Sequence, residues 1–252
     1  MREFFHIFKH YMMRTLRRPI IWALYIALPV GLTLINVVAN LGLGPGQPGP
    51  VGILVTLFIL SFQFFSSEVL YYDLFTTLRG NVADRLYMSP VTKNKFFAGA
   101  IAWSWTFSIL QAIIIFTVTY LAFPDNPYPS FWLLATMVLI VSILAQLKGA
   151  LMPYIAKTRK AADGISAAIC FGMMFLSGGL MINFGESDFA QFLMSRSNPL
   201  ALGWSAIQWD IQYQLGFNDG RSGDIMLNIG ILAAITVVLL AVLIVLGRRR
   251  KA

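Results

Sequence analysis

Charge is the scarcest commodity in this 252-residue sequence: Asp, Glu, Lys and Arg together make up 12% of it. Soluble domains carry roughly 25%, so a water-facing surface could not be covered, and an ordinary globular enzyme is excluded. The apolar share, 58% with a mean hydropathy of +0.71, equally excludes a disordered chain. Histidine is confined to His6 and His10, ahead of the first long apolar run, so no buried Ser–His dyad can be built. Cys170 is the lone cysteine, which excludes an intrachain disulfide; inside an apolar run it reads as a small buried residue. No HExxH and no Cys/His cluster points to zinc. No GxxxxGK[ST] occurs either, so the chain has no P-loop with which to bind ATP. What remains is an integral membrane protein.

Long apolar runs bear this out. A membrane-spanning helix needs about 20 mostly apolar residues, and six segments qualify: 20–40, 51–72, 96–122, 131–152, 163–184 and 225–246. All are expected to be helices, because in lipid each backbone amide must be bonded internally. The net charge of +8 falls in clusters between these runs rather than on a nucleic-acid-binding face. Arg2, Lys9, Arg14, Arg17 and Arg18 precede span one, and Arg79, Arg85, Lys93 and Lys95 separate spans two and three. Lys157, Arg159 and Lys160 lie between four and five, and Arg248, Arg249, Arg250 and Lys251 follow six. The opposite loops, 41–50, 123–130 and 185–224, hold only Arg196 and Arg221. The positive-inside rule then puts both termini in the cytoplasm. The first run is longer than a secretory signal core and has no well-placed cleavage site, so it reads as a retained helix.

The segments outside the spans are patterned too. Residues 1–19 read as a basic amphipathic elbow helix, with Phe4, Phe8, Tyr11, Met12 and Thr15 on one face, or else as a frayed, charged tail. Such a helix is expected to lie along the inner membrane surface with that face in the acyl boundary. The glycines of 42–50 lack the strand–turn–helix setting of a phosphate loop and form a tight connector. Between spans two and three, Leu74, Leu78, Val82 and Leu86 recur every four residues, and Ser89-Pro90 stops the pattern. The region 74–95 thus reads as a short helix, either an ordinary interfacial one or one that receives force from a soluble partner. The long segment 185–224 holds an apolar stretch, 200–211, too short to span and suited to a re-entrant helix.

Few residues inside the spans carry chemistry. Spans one, three, four, five and six have no acid in their central portions, which disfavours a proton-coupled carrier. Glu68 lies about 17 residues from the outer end of span two, or roughly 25 Å. Lys148 lies at similar depth in span four, so the two either pair near the inner interface or reach separately for headgroups. Trp103, Trp105, Phe107, Met173 and Met174 are candidates to line a path for greasy substrates, with ordinary packing as the alternative.

Two motifs narrow the class. Asp84-Arg85-Leu86-Tyr87-Met88-Ser89-Pro90, with Gly80 before it, resembles the D-R-[FL]-x-x-x-P stretch of ABC-2 type permeases of the drug-exporter branch. Asn198-Pro199-Leu200 resembles the N-P-L that precedes their last span. The chain departs from the pattern where Thr76-Thr77 replace a charged pair and where 179–189 lacks prolines. The resemblance covers nearly the whole chain. It implies an all-α fold of six spans with an elbow helix, a cytoplasmic coupling helix and outer re-entrant helices before span six. It further implies that Leu78, Val82, Asp84, Arg85, Leu86 and Pro90 couple the chain to an ATPase. On this reading the chain is one permease of a bacterial plasma-membrane exporter for hydrophobic or amphipathic cargo (drug, lipid or peptide-like). It would bind no cofactor itself. Two separately encoded P-loop ATPase subunits would hold ATP and Mg, and a second permease chain, identical or homologous, would complete the path. A secondary carrier and a lipid-modifying membrane enzyme are the competing readings.

Overall fold

The computed structural model describes residues 2–41, 51–79, 93–124, 128–177, 187–216 and 222–249. Among these every regular element is helical and none is a strand. Helix α1 (Arg2–Leu16) is followed by α2 (Pro19–Trp22), a π-helical turn (Ala23–Ala27) and α3 (Leu28–Leu41), which together make the first expected span. Then come α4 (Val51–Arg79), α5 (Lys93–Ala122), α6 (Phe131–Ile155), α7 (Arg159–Leu176), α8 (Asp188–Arg196), α9 (Pro199–Gln214) and α10 (Ser222–Arg249).

The elbow is dictated locally. Proline at the first position of α2 forces Arg18 out of the helical region, to φ −110° and ψ 91°. The chain turns by 81° between α1 and the helix that begins at Pro19. The π turn ends just short of Pro29, whose ring crowds the carbonyl four residues back, that of Tyr25.

Among the described residues four helices are long and apolar enough to cross a membrane: Val55–Phe75, Lys95–Ala122, Phe131–Ile155 and Asp224–Leu246. The bent pair formed by α1 with residues 19–35 makes a fifth candidate. These correspond to expected spans two, three, four, six and one. The expected fifth span is represented by α7, 18 residues long and about 27 Å, with Arg159, Lys160 and Asp163 in its first turns. The rest of 163–184 lies outside the described residues.

Helix α4 is the hub. It packs against α3, α5, α6, α7 and α9, and 78% of its spanning window is buried, against 6% for that of α10. The most apolar helix is therefore the one the protein covers least, as expected where lipid does the covering. The α4–α6 contact is close because Gly149 lets the backbones meet: a Cβ there would stand 2.8 Å from the Ser67 carbonyl oxygen. The main core, Leu60, Ile115, Met137, Val141 and Ile207 among others, fills the space between α4, α5, α6 and α9.

The region 185–224 contains a helical hairpin. Asn198 caps α9, its Oδ1 accepting from the amides of Leu200 (2.9 Å) and Ala201 (3.0 Å), and Pro199 takes the first helical position. The first half of α9 is buried while Tyr213 at its other end is 65% exposed. Gly203 faces Leu60, about 14 Å along α4 from Val51, so the hairpin dips well below that end of the bundle. Asn228 of α10 donates to the Leu202 carbonyl (3.2 Å) and Ser205 (2.9 Å), and Arg196 pairs with Asp224 at 2.8 Å.

Two expectations are corrected. Helix α4 runs unbroken to Arg79, so Leu74 and Leu78 end span two instead of opening a separate helix, and Leu74 is buried. The apolar face of α1 lies on protein rather than in the acyl boundary, as the contacts below show.

Candidate functional site

On the elbow side of the bundle, α1 binds the two helix ends that flank 80–92. Against α5, Ile7 fills the space above Gly99, where a Cβ would come within 2.6 Å of its Cγ2. Phe8 meets Trp103 edge-on at 5.6 Å and Tyr11 meets Phe96 at 5.5 Å. The Trp103 indole donates to the Thr15 hydroxyl at 2.8 Å, and Lys95 donates to Glu3 at 2.7 Å. That bond from Lys95 lowers the pKa of the Glu3 carboxyl. Against α4, Arg14 pairs with Asp73 at 3.1 Å, with Asp73 only 6% exposed, and the Tyr11 and Thr77 hydroxyls stand 3.4 Å apart. The elbow thus holds both anchors of the connecting segment.

That segment carries most of the expected coupling residues. Val82, Asp84, Arg85, Leu86 and Pro90 lie outside the described residues. Leu78 falls in the last turn of α4, on backbone that is described.

Glu68 and Lys148 are not joined as an ion pair. Tyr25 donates to Glu68 Oε2 at 2.6 Å. Lys148 is buried, 8% exposed, and spends its three protons on the Phe64 carbonyl (2.9 Å), Ser166 Oγ (2.9 Å) and Cys170 Sγ (3.2 Å). It fastens α6 to α4 and α7 and does not reach for headgroups. The two residues occupy helices that pack together, but each is turned to its own partners.

The aromatic and methionine candidates divide. Trp103 and Phe107 are buried in the elbow-side core with Ile7, Tyr11 and Leu74, so they pack rather than line a path. Met174 is buried in the main core and Met173 packs on its edge. Trp105 borders an open space, a groove of about 470 Å³ between α5 and α6 with Ile101, Ile143, Gln146 and Leu147. Its indole is tied to Ser142 at 2.9 Å.

Two features went unread in the sequence. One is a polar seam between α4, α5 and α6. Gln63 donates to the Ser108 carbonyl at 3.0 Å, the Ser66 and Ser108 hydroxyls touch, and Gln146 reaches Ser108 Oγ at 3.4 Å. Glutamines recurring inside apolar runs were the available signal. The other is a cavity of about 430 Å³ on the elbow side, between the start of span one, α4 and α7. Its walls include Arg18, Tyr25, Glu68, Tyr71, Tyr72, Arg159 and Asp163. Three guanidinium groups, those of Arg159, Arg18 and Arg14, surround the Tyr72 ring at 3.7, 4.5 and 5.8 Å. Tyr71 donates to Asp163 at 2.9 Å. Nothing in its donor set resembles a metal centre, and no group of three metal-ligating side chains occurs among the described residues.

A family model described as ABC-2 family transporter protein covers residues 23–245. No curated protein and no solved structure matches the chain.

Proposed function

The chain belongs to the ABC-2 family of transporter proteins, and from that premise we propose that it is an exporter subunit moving hydrophobic or amphipathic cargo out of the cytoplasm. Membership makes it the membrane permease of an ABC transporter, a partner of ATPase subunits rather than an ATPase. The finer reading is a half-transporter: two permease chains in the bacterial plasma membrane, with cytoplasmic termini, and two P-loop subunits that hold ATP and Mg. The observation that carries it is the elbow clamp. Because α1 is fastened to α4 through Arg14–Asp73 and to α5 through Lys95–Glu3 and Trp103–Thr15, a push on 80–92 has no slack to take up at its anchors. Closure of the ATPase pair would move the ends of α4 and α5 together. It can shift the equilibrium between transport states only through contacts that differ between them. The groove beside Trp105, apolar but with Gln146 in its wall, supports an amphipathic cargo.

The test is a mild-detergent pull-down followed by reconstitution. A stoichiometric ATPase is expected with the wild-type chain, and substrate extrusion should require ATP. Asp84→Ala and Arg85→Ala should insert normally yet lose the ATPase or its stimulation by substrate. Normal stimulation in both variants refutes the assignment of the coupling residues. Transport by the permease alone, driven by an ion gradient, refutes the exporter reading in favour of a secondary carrier.

A further inference from the structure

The elbow-side cavity holds a charge arrangement that the coupling role does not use. Of the acids in its wall, Asp73 is paired with Arg14 at 3.1 Å, and Asp163 lies 3.9 Å from Arg159 and accepts from Tyr71. Two charges are then left with no opposite charge within 4.0 Å among the described residues: Arg18 and Glu68. They face one cavity without pairing with each other. Arg18 is steadied over the Tyr72 ring at 4.5 Å, while Glu68 is oriented by Tyr25 through Oε2, which leaves Oε1 to accept. Ile20 and Leu24, 65% and 48% exposed, continue the wall as an aliphatic strip along span one.

We propose that this cavity binds the headgroup of a phospholipid bearing a primary ammonium, its phosphate on Arg18 and its ammonium on Glu68. A guanidinium matches phosphate oxygens with paired N–H donors, and a carboxylate with a free oxygen accepts from an ammonium. The site lies at the 81° bend where span one leaves the basic helix α1, and basic clusters at the end of a span belong at headgroup level. Ile20 and Leu24 give the acyl chains an apolar surface to follow. About 430 Å³ is within the range of roughly 300–1,000 Å³ typical of small-molecule sites. An anionic lipid fits less well, because Glu68 would face its phosphate with no cation of the lipid to offset it.

The full chain, with whatever subunits accompany it, is equilibrated with vesicles of equal phosphatidylethanolamine, phosphatidylcholine and phosphatidylglycerol. Retained lipid is then counted by native mass spectrometry. The wild type is expected to favour the ethanolamine lipid over both others by roughly tenfold, the effect of one charge-assisted contact. Glu68→Gln, which keeps an oxygen for Tyr25, should abolish the preference, and Arg18→Gln should lower retention of all three. Leu24→Trp, which fills the cavity and leaves the charges intact, should also lower retention while the thermal midpoint holds. Lys9→Gln, a charge lost from α1 outside the cavity, should match the wild type. Equal retention of the three lipids, a preference for phosphatidylglycerol, or wild-type selectivity in Glu68→Gln overturns the proposal. The readout is bound lipid, not transport, so it stands or falls separately from the exporter reading.

Discussion

Replacing Gly149 by alanine asks whether α4 and α6 touch as closely as their backbones indicate. In an open stretch of helix the same replacement helps, since glycine is about 1 kcal/mol poorer than alanine as a helix former. At Gly149 the added methyl would stand 2.8 Å from the Ser67 carbonyl oxygen and 3.2 Å from its Cβ. The obstacle is backbone of the hub helix, so it cannot rotate away, and α4 and α6 must separate. Overpacking of this kind costs about 1–3 kcal/mol, and separation also loosens the bonds of Lys148 to Phe64 and Ser166. Net of the propensity gain, Gly149→Ala should destabilise by up to about 2 kcal/mol, or up to roughly 8 °C for a chain of this size. Gly172→Ala and Gly230→Ala, where nothing lies within 4 Å of the new Cβ, should leave the midpoint unchanged or raise it. Thermal unfolding of the three variants in one detergent, followed by loss of monodisperse protein, gives the comparison. A midpoint for Gly149→Ala at or above those of the other two would refute the close contact.

Two further perturbations probe the clamp and the hairpin. Arg14→Gln should cost about 2 kcal/mol by taking the guanidinium from beside Asp73, less than for a fully buried pair because Arg14 is 26% exposed and Arg18 still acts on the carboxylate. Arg14→Gln with Asp73→Asn should then cost less than the two singles added, by about 0.5–3 kcal/mol, and strictly additive costs in a thermal double-mutant cycle would contradict the pairing. Asn198→Ala should lose about 1 kcal/mol by uncapping α9, whereas Asn198→Asp keeps the accepting oxygen and loses less. Equal losses in the two variants, measured by hydrogen exchange at Leu200 and Ala201, would assign the role of Asn198 to its amide nitrogen.

The spans were legible because lipid demands length and apolarity from any helix that crosses it. Their ends were less so. Leu70 and Leu74, both buried, stand at the same four-residue step as Leu78, so the start of the stripe read as a new helix continues α4. Asp73 and Arg79 made a boundary near 72 look natural. Asp73 is tolerated inside the helix because cations distant in sequence meet it, Arg14 at 3.1 Å and Arg18 from farther off. Amphipathicity announced an apolar face on α1, yet it cannot say whether lipid or protein covers that face. The answer came from Gly99, whose missing side chain admits Ile7. Asn198-Pro199-Leu200 was visible as a motif, and its cause is local: a capping oxygen, a ring at the first helical position, then a buried leucine. The lipid-facing and protein-facing sides of the remaining spans depend on inter-helix register, which no single run of sequence encodes.

Lys148 poses the sharpest separation of stability from function. Its ammonium donates to Phe64 O, Ser166 Oγ and Cys170 Sγ, and no carboxylate stands within 4.0 Å of it among the described residues. Losing a hydrogen bond is expensive mainly when a buried partner is left without any other. Here the Phe64 carbonyl also accepts from Ser67 Oγ at 2.7 Å, and the Ser166 hydroxyl can turn back to the carbonyl four residues earlier, as such side chains do in helices. Replacing a buried charge by an apolar side chain of similar length is commonly neutral or favourable. Lys148→Met should therefore keep the midpoint within about 1 kcal/mol of wild type. Lys148→Glu should fall far below it, because a buried carboxylate would face the Phe64 carbonyl with no cation near it and only the Ser166 hydroxyl and the weak Cys170 thiol to donate. If ATP-driven transport is lost in Lys148→Met while the midpoint holds, the ammonium serves transport and not the fold. A midpoint for Lys148→Met as low as that for Lys148→Glu would refute this, since the three bonds themselves would then be holding α4, α6 and α7 together.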